Sequence, residues 1–272
     1  MTIPNPSQNK IKVWNQRIEI NFHVRGTGPE LIYFHPAAGF SWDPFLEKLS
    51  EFYTVYAPEF PGTTPGNPYD IHQVDDLGDA LLMYEEALRA LGLQGAMAVG
   101  HSFGGMLALE LAAAFPNMFS KLVVISPIGL WREEAPVTNW IAASPEELPA
   151  ILFKDPLRPS AQAMLAMPTD PAAAVLATAQ FIWNIGATGK MVWPIPDRGL
   201  QKRLHRVATP TFIVWGEDDA LISSSYAHWL GELIAGSRVA IVKDCGHIPQ
   251  VEQQHVTLAL VDKFLGTKRL AA

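Results

Sequence analysis

The sequence contains one cysteine, Cys245, among its 272 residues. A single cysteine cannot form a disulfide within the chain, so the fold must depend on packing rather than on cross-links. Positive charge is also scarce, because 20 Lys and Arg stand against 27 Asp and Glu, which gives a net charge of −7. The chain lacks the basic stripe that binds a phosphate backbone, and nucleic acid is therefore not expected as a partner.

Long apolar runs are absent as well. No apolar stretch reaches the ~18 residues that a membrane-spanning helix needs, since Lys, Glu, Pro or Gly interrupts every candidate. The first ten residues contain prolines and polar side chains where a secretory signal would have a basic start and an apolar run. We therefore expect no membrane association and a cytoplasmic location. The 49% hydrophobic and 17% charged residues are typical of a globular protein with a sizeable core.

Short apolar runs alternate with helical patterns along most of the chain. Residues 10–14 and 17–24 alternate apolar and polar side chains, which predicts a hairpin of two edge strands. The later runs, bounded by turn residues, lie at 31–34, 53–57, 96–99, 122–125, 211–215 and 238–242. Helical spacing over 74–91, with Gly92 as a stop, and over 224–234 predicts helices between strands. The pattern indicates an α/β protein with a parallel sheet covered on both faces.

The pattern changes after Pro127. From 128 to 199 no strand-like run occurs, and nine prolines separate short helical stretches rich in Ala and Met. We interpret 128–199 as a helical cap inserted into a core domain that consists of residues 1–127 and 200–272.

Ser102 is the candidate nucleophile, at the centre of Gly100-His101-Ser102-Phe103-Gly104. A Gly-x-Ser-x-Gly string is weak by itself, but here it follows the apolar strand at 96–99 and opens a helical pattern. A serine on such a turn is strained, and the flanking glycines let strand and helix approach closely. The alternative is a glycine-rich turn that only packs a helix on the sheet.

A serine hydroxyl needs a base near neutral pH, and His247 is the best placed of the eight histidines. It follows the run at 238–242, where a side chain can project over the carboxyl edge of the sheet. The imidazole in turn needs an acid, for which we favour Asp219 over Asp218 and Glu217. We expect Asp218 to satisfy its own turn, whereas Glu217 is nearer the strand and more loosely held. The alternatives are a structural loop histidine and acids that only solubilise a turn.

Two backbone amides are predicted to bind the oxyanion, those of Phe103 and Ala37, since Pro36 has no N–H. A plain loop of small residues is the alternative at 35–39.

The candidates for substrate contact are His35, Trp131, Trp140, Phe181, Trp183 and Ile248. Met164, Met167, Met191 and Trp193 are further residues of the predicted cap. The aromatic and Met residues of the cap either line a pocket or pack the cap helices. No group of His, Cys or acidic residues has metal-ligand spacing, and no phosphate-binding loop is present, so neither a metal nor a cofactor is expected.

The order Ser102, Asp219, His247, each after a strand, resembles the α/β-hydrolase fold family over nearly the whole chain. The segments 35–39, 60–62, 216–219 and 246–247 are similar to loops of that family. The resemblance implies an eight-stranded, mostly parallel sheet with the cap after the sixth strand. Pro36 departs from the family's usual glycine.

The resemblance also implies acyl chemistry. Haloalkane dehalogenases and epoxide hydrolases of this fold use an aspartate at the elbow, whereas Ser102 would form an acyl-enzyme. The leading hypothesis is a carboxylic ester hydrolase acting on a small-molecule ester or other acyl substrate. The alternatives are carbon-carbon hydrolysis of ring-fission products and a non-catalytic ligand receptor. Enzymes of the carbon-carbon class often carry a tryptophan directly after the base histidine and an arginine in the cap near the substrate carboxylate. In this chain Ile248 stands at the position of that tryptophan. The arginine could correspond to Arg132, Arg158 or Arg198.

Overall fold

A computed structural model describes residues 6–193 and 197–266, and its centre is one sheet of eight strands. The strands are β1 (Ser7–Val13), β2 (Ile18–Arg25), β3 (Glu30–Phe34), β4 (Thr54–Pro58), β5 (Ala96–His101), β6 (Phe119–Ile125), β7 (Thr211–Gly216) and β8 (Arg238–Val242). Each run that the sequence predicts as a strand overlaps one of them, although several bounds differ by one to three residues.

The strand order is β1-β2-β4-β3-β5-β6-β7-β8. β1 pairs antiparallel with β2 and β2 with β4, while all later pairs are parallel. The predicted α/β class with a mostly parallel eight-stranded sheet is confirmed. The expectation of two edge strands is wrong for β2, which is enclosed between β1 and β4.

Helices cover both faces of the sheet and enclose two apolar cores. Those of the core are α1 (Pro44–Ser50), α2 (Leu77–Ala90), α3 (Phe103–Ala114), α7 (Ser225–Leu233), α8 (Pro249–Glu252) and α9 (Gln254–Leu265). α2 begins after Asp76, whose side chain accepts a hydrogen bond from the Asp79 amide, and it ends before Gly92, which has a positive φ of 70°.

The segment between β6 and β7 contains α4 (Leu148–Leu152), α5 (Pro159–Leu165) and α6 (Pro171–Val192). The first two are short, as the prolines predict, but α6 runs for 22 residues. The expectation of only short helices is wrong here, because Pro171 occupies the first turn, where proline is tolerated, and no proline follows it within the helix. Pro194 and Pro196, like residues 1–5 and 267–272 of the predicted core ranges, lie outside the described residues.

No helix within 6–193 or 197–266 combines the length and apolar character needed to cross a membrane.

Candidate active site

Ser102 lies on the turn between β5 and α3, with φ 53° and ψ −115°. A non-glycine residue in this region is strained, and only tight surroundings hold it there. A Cβ on Gly104 would lie 2.1 Å from the Phe34 carbonyl oxygen, and one on Gly100 would lie 2.5 Å from that of Gly104. Both glycines are therefore required for the close approach of α3 to the sheet that presents Ser102.

His247 lies in the loop after β8, and its Nδ1 is 2.9 Å from Oδ2 of Asp219. Because the carboxylate accepts, Nδ1 carries the proton and Nε2 presents a lone pair. That Nε2 is buried and has no hydrogen-bond partner among the described residues. The imidazole is thus oriented as a base that lacks only its proton donor.

Asp219 is held from its other side by backbone amides. Its Oδ1 accepts from the Leu221 and Ile222 amides at 2.9 and 2.8 Å, and its side chain is fully buried. The expectation that Asp218 satisfies this turn is wrong, since Asp219 does so itself. The Asp218 carboxylate instead lies 2.9 Å from Lys154 Nζ, in the segment after α4.

Ser102 and His247 lie on the wall of one narrow cavity of about 70 Å³, called here the Ser102 cavity. No hydrogen bond joins their side chains within the described structure, and such contacts commonly tighten only when substrate is bound. The wall consists of Pro36, Ala37, Ala38, His101, Ser102, Ile128, Trp140, Leu148, Leu152, Met164, Phe181, Ile185, Leu221, His247 and Ile248. It is mainly apolar, and no Lys or Arg of the described chain belongs to it.

The two predicted oxyanion donors lie near this cavity. Phe103 is the first residue of α3, where an amide has no partner within the helix, and the helix N-terminus adds partial positive charge. Ala37 is on the cavity wall, in a turn that is closed by the Gly39 amide donating to the Pro36 carbonyl at 3.1 Å. Neither the Phe103 nor the Ala37 amide donates to an acceptor in the described part of the chain.

His101, the residue before Ser102, binds the loop that carries His247. Its Nε2 lies 3.1 Å from the His247 carbonyl oxygen, and the two imidazole rings are 5.2 Å apart. Since a carbonyl only accepts, Nε2 carries the proton and Nδ1 is an acceptor. Burial, with a smaller contribution from the neighbouring His247, lowers the pKa of His101 to about 3. His101 is therefore neutral at physiological pH.

His35 is not on the cavity wall. Its Nδ1 donates to the Pro36 carbonyl at 2.7 Å, and its Nε2 accepts from the Phe60 amide at 2.9 Å. The ring is buried, which lowers its pKa. The structure thus assigns His35 to fixing the loops after β3 and β4, rather than to the substrate contact that the sequence suggested.

The other candidates for substrate contact divide into two groups. Trp140, Phe181, Ile248 and Met164 lie on the wall of the Ser102 cavity. Trp131 and Trp183 do not: the Trp131 indole donates to Glu133, and the Trp183 indole donates to the Pro68 carbonyl. Also away from the wall are Met167 and Trp193, which are exposed, and Met191, which is buried in the core.

Sequence reasoning missed Leu148, Leu152 and Ile185 on the wall. Two regularities would have indicated them: Leu148 and Leu152 are four residues apart on α4, as Phe181 and Ile185 are on α6. Residues at this spacing share one helix face.

The three arginines that the sequence offered as partners for a substrate carboxylate bind other groups of the protein. Arg132 pairs with Glu134 and lies over the Trp229 ring, and Arg158 binds Asp244 at 2.6 Å. Arg198 donates to the Trp193 carbonyl.

In the described structure, no three His, Cys, Asp or Glu side chains are grouped so as to hold a metal ion.

The chain belongs to the alpha/beta hydrolase family, whose sequence model matches residues 31–260. A 2-hydroxy-6-oxo-2,4-heptadienoate hydrolase from Pseudomonas putida is 26% identical, over 92% of this chain and 94% of that protein. The crystal structure of a membrane phospholipase A, described as a bacterial virulence factor, matches with a TM-score of 0.77 at 23% identity, over 97% of this chain and 87% of the other. Naproxen esterase from Bacillus subtilis matches with a TM-score of 0.72 at 18% identity, over 96% and 92%. The structural matches show the shared fold, and the family supports a hydrolase.

Proposed function

We propose that this protein hydrolyses carboxylic esters through an acyl-enzyme on Ser102, with His247 as base and acid and Asp219 as its orienting partner. The observation that carries the proposal is the 2.9 Å bond between His247 Nδ1 and Asp219 Oδ2, which leaves Nε2 without a partner among the described residues. His247 and Ser102 belong to the wall of the same cavity. That arrangement suits proton transfer to and from a serine hydroxyl.

In the first half-reaction, Ser102 Oγ bonds to the ester carbonyl carbon while its proton passes to His247 Nε2. The resulting oxyanion accepts hydrogen bonds from the Phe103 and Ala37 amides, and each such donor typically contributes about 3 kcal/mol to the transition state. When the intermediate collapses, the C–O bond breaks and the leaving alkoxide takes the proton from His247. The products are an alcohol and acyl-Ser102.

The second half-reaction repeats these steps with water. Water gives a proton to Nε2 and bonds to the acyl carbon, and collapse of the intermediate expels Ser102 Oγ, which regains the proton. Asp219 stabilises the imidazolium in both halves, so His247 alternates between base and acid without turning.

The apolar wall favours an ester over a charged substrate. A buried carboxylate requires a paired cation, and none of the described Lys or Arg residues reaches this wall. Residues 128–199 are proposed as the cap that encloses the acyl group, because Trp140 and Phe181 come from that segment.

The test is turnover of p-nitrophenyl esters of increasing acyl length. We expect activity on short and medium acyl chains that is lost in Ser102→Ala, while the exposed Ser7→Ala serves as control. Absence of Ser102-dependent turnover over the whole series would contradict the proposal.

Carbon-carbon hydrolysis is the second candidate, supported by the identity with the Pseudomonas putida hydrolase over most of both chains. It predicts Ser102-dependent loss of the visible absorbance of a ring-fission product. Inertness towards several such products, with activity on esters, would remove this candidate.

A further inference from the structure

The turn that contains Ala37, a predicted oxyanion donor, is bound by a side chain from α6. Asn184 Nδ2 donates to the Ala38 carbonyl oxygen at 2.8 Å, although the two residues are 146 apart in the chain. The Asn184 Oδ1 accepts from Gln180 Nε2 at 2.7 Å, and Gln180 also donates to the Thr63 carbonyl at 3.3 Å. Since an amide oxygen only accepts, the contact with Gln180 fixes which end of the Asn184 amide donates. α6 therefore presents an oriented N–H group to the loop after β3.

The packing around Gly39 shows how closely Asn184 approaches this loop. A Cβ on Gly39 would lie 2.2 Å from Asn184 Nδ2, and Gly39 has a φ of 98°, which favours glycine. The Thr188 hydroxyl, one turn further along α6, lies 3.1 Å from the Ala37 carbonyl oxygen and 2.8 Å from the Asn184 carbonyl oxygen. A hydroxyl has a single proton, which these two carbonyls share, so the bond from Asn184 is the stronger link between α6 and the turn.

The bond from α6 reaches the Ala37 amide through two peptide planes. In a trans peptide the C=O and the following N–H point in opposite directions, so a donor on the Ala38 carbonyl sets the direction of the Gly39 N–H. That N–H donates to the Pro36 carbonyl at 3.1 Å, which also accepts from His35 Nδ1 at 2.7 Å. The Pro36 carbonyl in turn sets the direction of the Ala37 N–H across their shared peptide bond. The Ala37 amide, which has no acceptor among the described residues, is thereby held in one direction.

We propose that Asn184 is a positioning residue of the oxyanion site, which aims the Ala37 amide at the ester oxygen through the turn at 36–39. The inference rests on the proposed ester hydrolysis at Ser102. When Ser102 Oγ bonds to the carbonyl carbon, negative charge moves onto the carbonyl oxygen, and donors that already face this oxygen need no reorganisation. Without the Asn184 N–H, the third peptide of the turn is free to rotate, and the Ala37 amide loses its fixed direction.

This role links the proposed cap to the chemistry at Ser102. Phe181 and Ile185, on the same helix as Asn184, belong to the wall of the Ser102 cavity, so one helix both encloses the substrate and orients an oxyanion donor. Asn184 itself is not on that wall, and its replacement removes no contact with a substrate in that cavity. The effect of replacing it should therefore appear in kcat rather than in KM.

The test compares p-nitrophenyl butyrate with its thionoester, in which sulfur replaces the carbonyl oxygen. Sulfur is a weak hydrogen-bond acceptor, so an oriented oxyanion donor favours the oxygen ester. Asn184→Leu keeps the approximate size of the side chain and removes the donor. In this variant kcat for the oxygen ester should fall by about tenfold, which is part of what one oxyanion donor supplies, with KM within about twofold. The kcat for the thionoester should fall by less than about twofold.

Gln180→Met provides a second, milder variant, because it releases Asn184 Oδ1 and leaves the Asn184 donor in place. It should lower the oxygen-to-sulfur ratio of kcat by roughly threefold, a fraction of the effect of losing the donor itself. Asn9→Leu, the same change as Asn184→Leu at an exposed position on β1, is the control and should leave the ratio unchanged.

Two results would overturn the inference. One is an oxygen-to-sulfur ratio that keeps its unmodified value in both Asn184→Leu and Gln180→Met, including the case in which both esters slow equally, as a merely structural role predicts. The other is a loss confined to KM, which would make Asn184 a substrate contact. If Asn184→Leu does not fold, the ratio in Gln180→Met decides alone. Ser102-dependent turnover with an unchanged ratio contradicts only this inference, whereas no Ser102-dependent turnover in the unmodified protein contradicts the proposed function as well.

Discussion

Asp219 serves two groups with its two oxygens. One binds the His247 imidazole, and the other accepts two amides of its own loop, so the side chain cannot rotate away from the base. Asp218, its neighbour in sequence, points to Lys154 and is partly exposed. The sequence alone favoured Asp219 without excluding Asp218, because the side chains that distinguish them, His247 and Lys154, lie far along the chain.

The same substitution at Asp219 and at Asp218 should have very different effects on kcat. Asp219→Asn should lower kcat by roughly 10⁴, because an amide presents a donor to Nδ1 and favours the wrong tautomer of His247. Asp218→Asn should change kcat by no more than a few fold. Steady-state kinetics on a p-nitrophenyl ester measures both, and equal losses would show that Asp219 is not the orienting acid.

His101 contributes to acid sensitivity, because it is buried and neutral. Its pKa is about 3 in the folded protein, against 6.5 when exposed, so between these values the unfolded state binds more protons. Stability from this group is therefore complete above pH 6.5 and is lost as pH falls towards 3. From pH 6.5 to 4.5 the loss is about 2 kcal/mol, because the unfolded histidine is only half protonated at pH 6.5 and the slope reaches about 1.4 kcal/mol per unit only below that pH.

Urea unfolding of His101→Asn at pH 6.5 and 4.5 tests this directly. The variant should lose about 2 kcal/mol less of its free energy of unfolding over this interval than the unmodified protein does. The same substitution at the exposed His255 controls for removing a histidine. A pH dependence unaltered in His101→Asn would contradict the proposed contribution.

The end of α4 and the residues that follow it are bound to the loop that carries His247. The His247 amide donates to the Leu152 carbonyl at 2.9 Å. Glu252, with its side chain fully buried, accepts from the Gly246 amide at 2.6 Å and from the Lys154 and Asp155 amides at 3.3 Å. The same carboxylate thus holds both the His247 loop and the residues that follow α4.

Glu252→Ala is therefore expected to lower the free energy of unfolding by about 3 kcal/mol or more, since three backbone amides lose their acceptor. It should also lower kcat, because the His247 loop is released. Glu51→Ala, which breaks an exposed pair with Lys48, should cost less than about 1 kcal/mol. Denaturant titration compares them, and equal, small losses would show that Glu252 does not hold the loops.

The elements of the core could be predicted because each follows a local pattern. β8 matches its predicted range, 238–242, since a short apolar run between turns has few alternatives. α6 was less predictable: it carries no charge from Pro171 to Gly189, so no polar face reveals its length. Its extent is set by packing against the core, where Asn184 and Thr188 donate to the Ala38 and Ala37 carbonyls.

Side-chain direction in the cap could not be predicted from the sequence. Trp131 and Trp140 are nine residues apart in a stretch without regular helix, so no periodicity distinguishes them. Trp140 is placed on the cavity wall by a long-range contact, in which the nearby Thr138 amide donates to the Leu221 carbonyl at 2.9 Å. His35 is a similar case, since its partner Phe60 lies 25 residues away.

The whole molecule brings the three site residues together through sheet topology. Ser102, Asp219 and His247 follow β5, β7 and β8, and parallel strands place these ends at one edge of the sheet. The apolar cores on both faces fix that edge, and the cap segment adds the apolar wall above it. This arrangement supports the proposal that Ser102 is the nucleophile.

Intact-mass analysis after treatment with a fluorophosphonate tests that nucleophile most directly. We predict one adduct per chain, located on Ser102 by peptide mapping, with labelling lost in Ser102→Ala and strongly slowed in His247→Ala because the hydroxyl is no longer activated. The exposed His255→Ala should label at the unmodified rate. Labelling that is absent from Ser102, or that proceeds equally fast in His247→Ala, would contradict an acyl-enzyme mechanism for this protein.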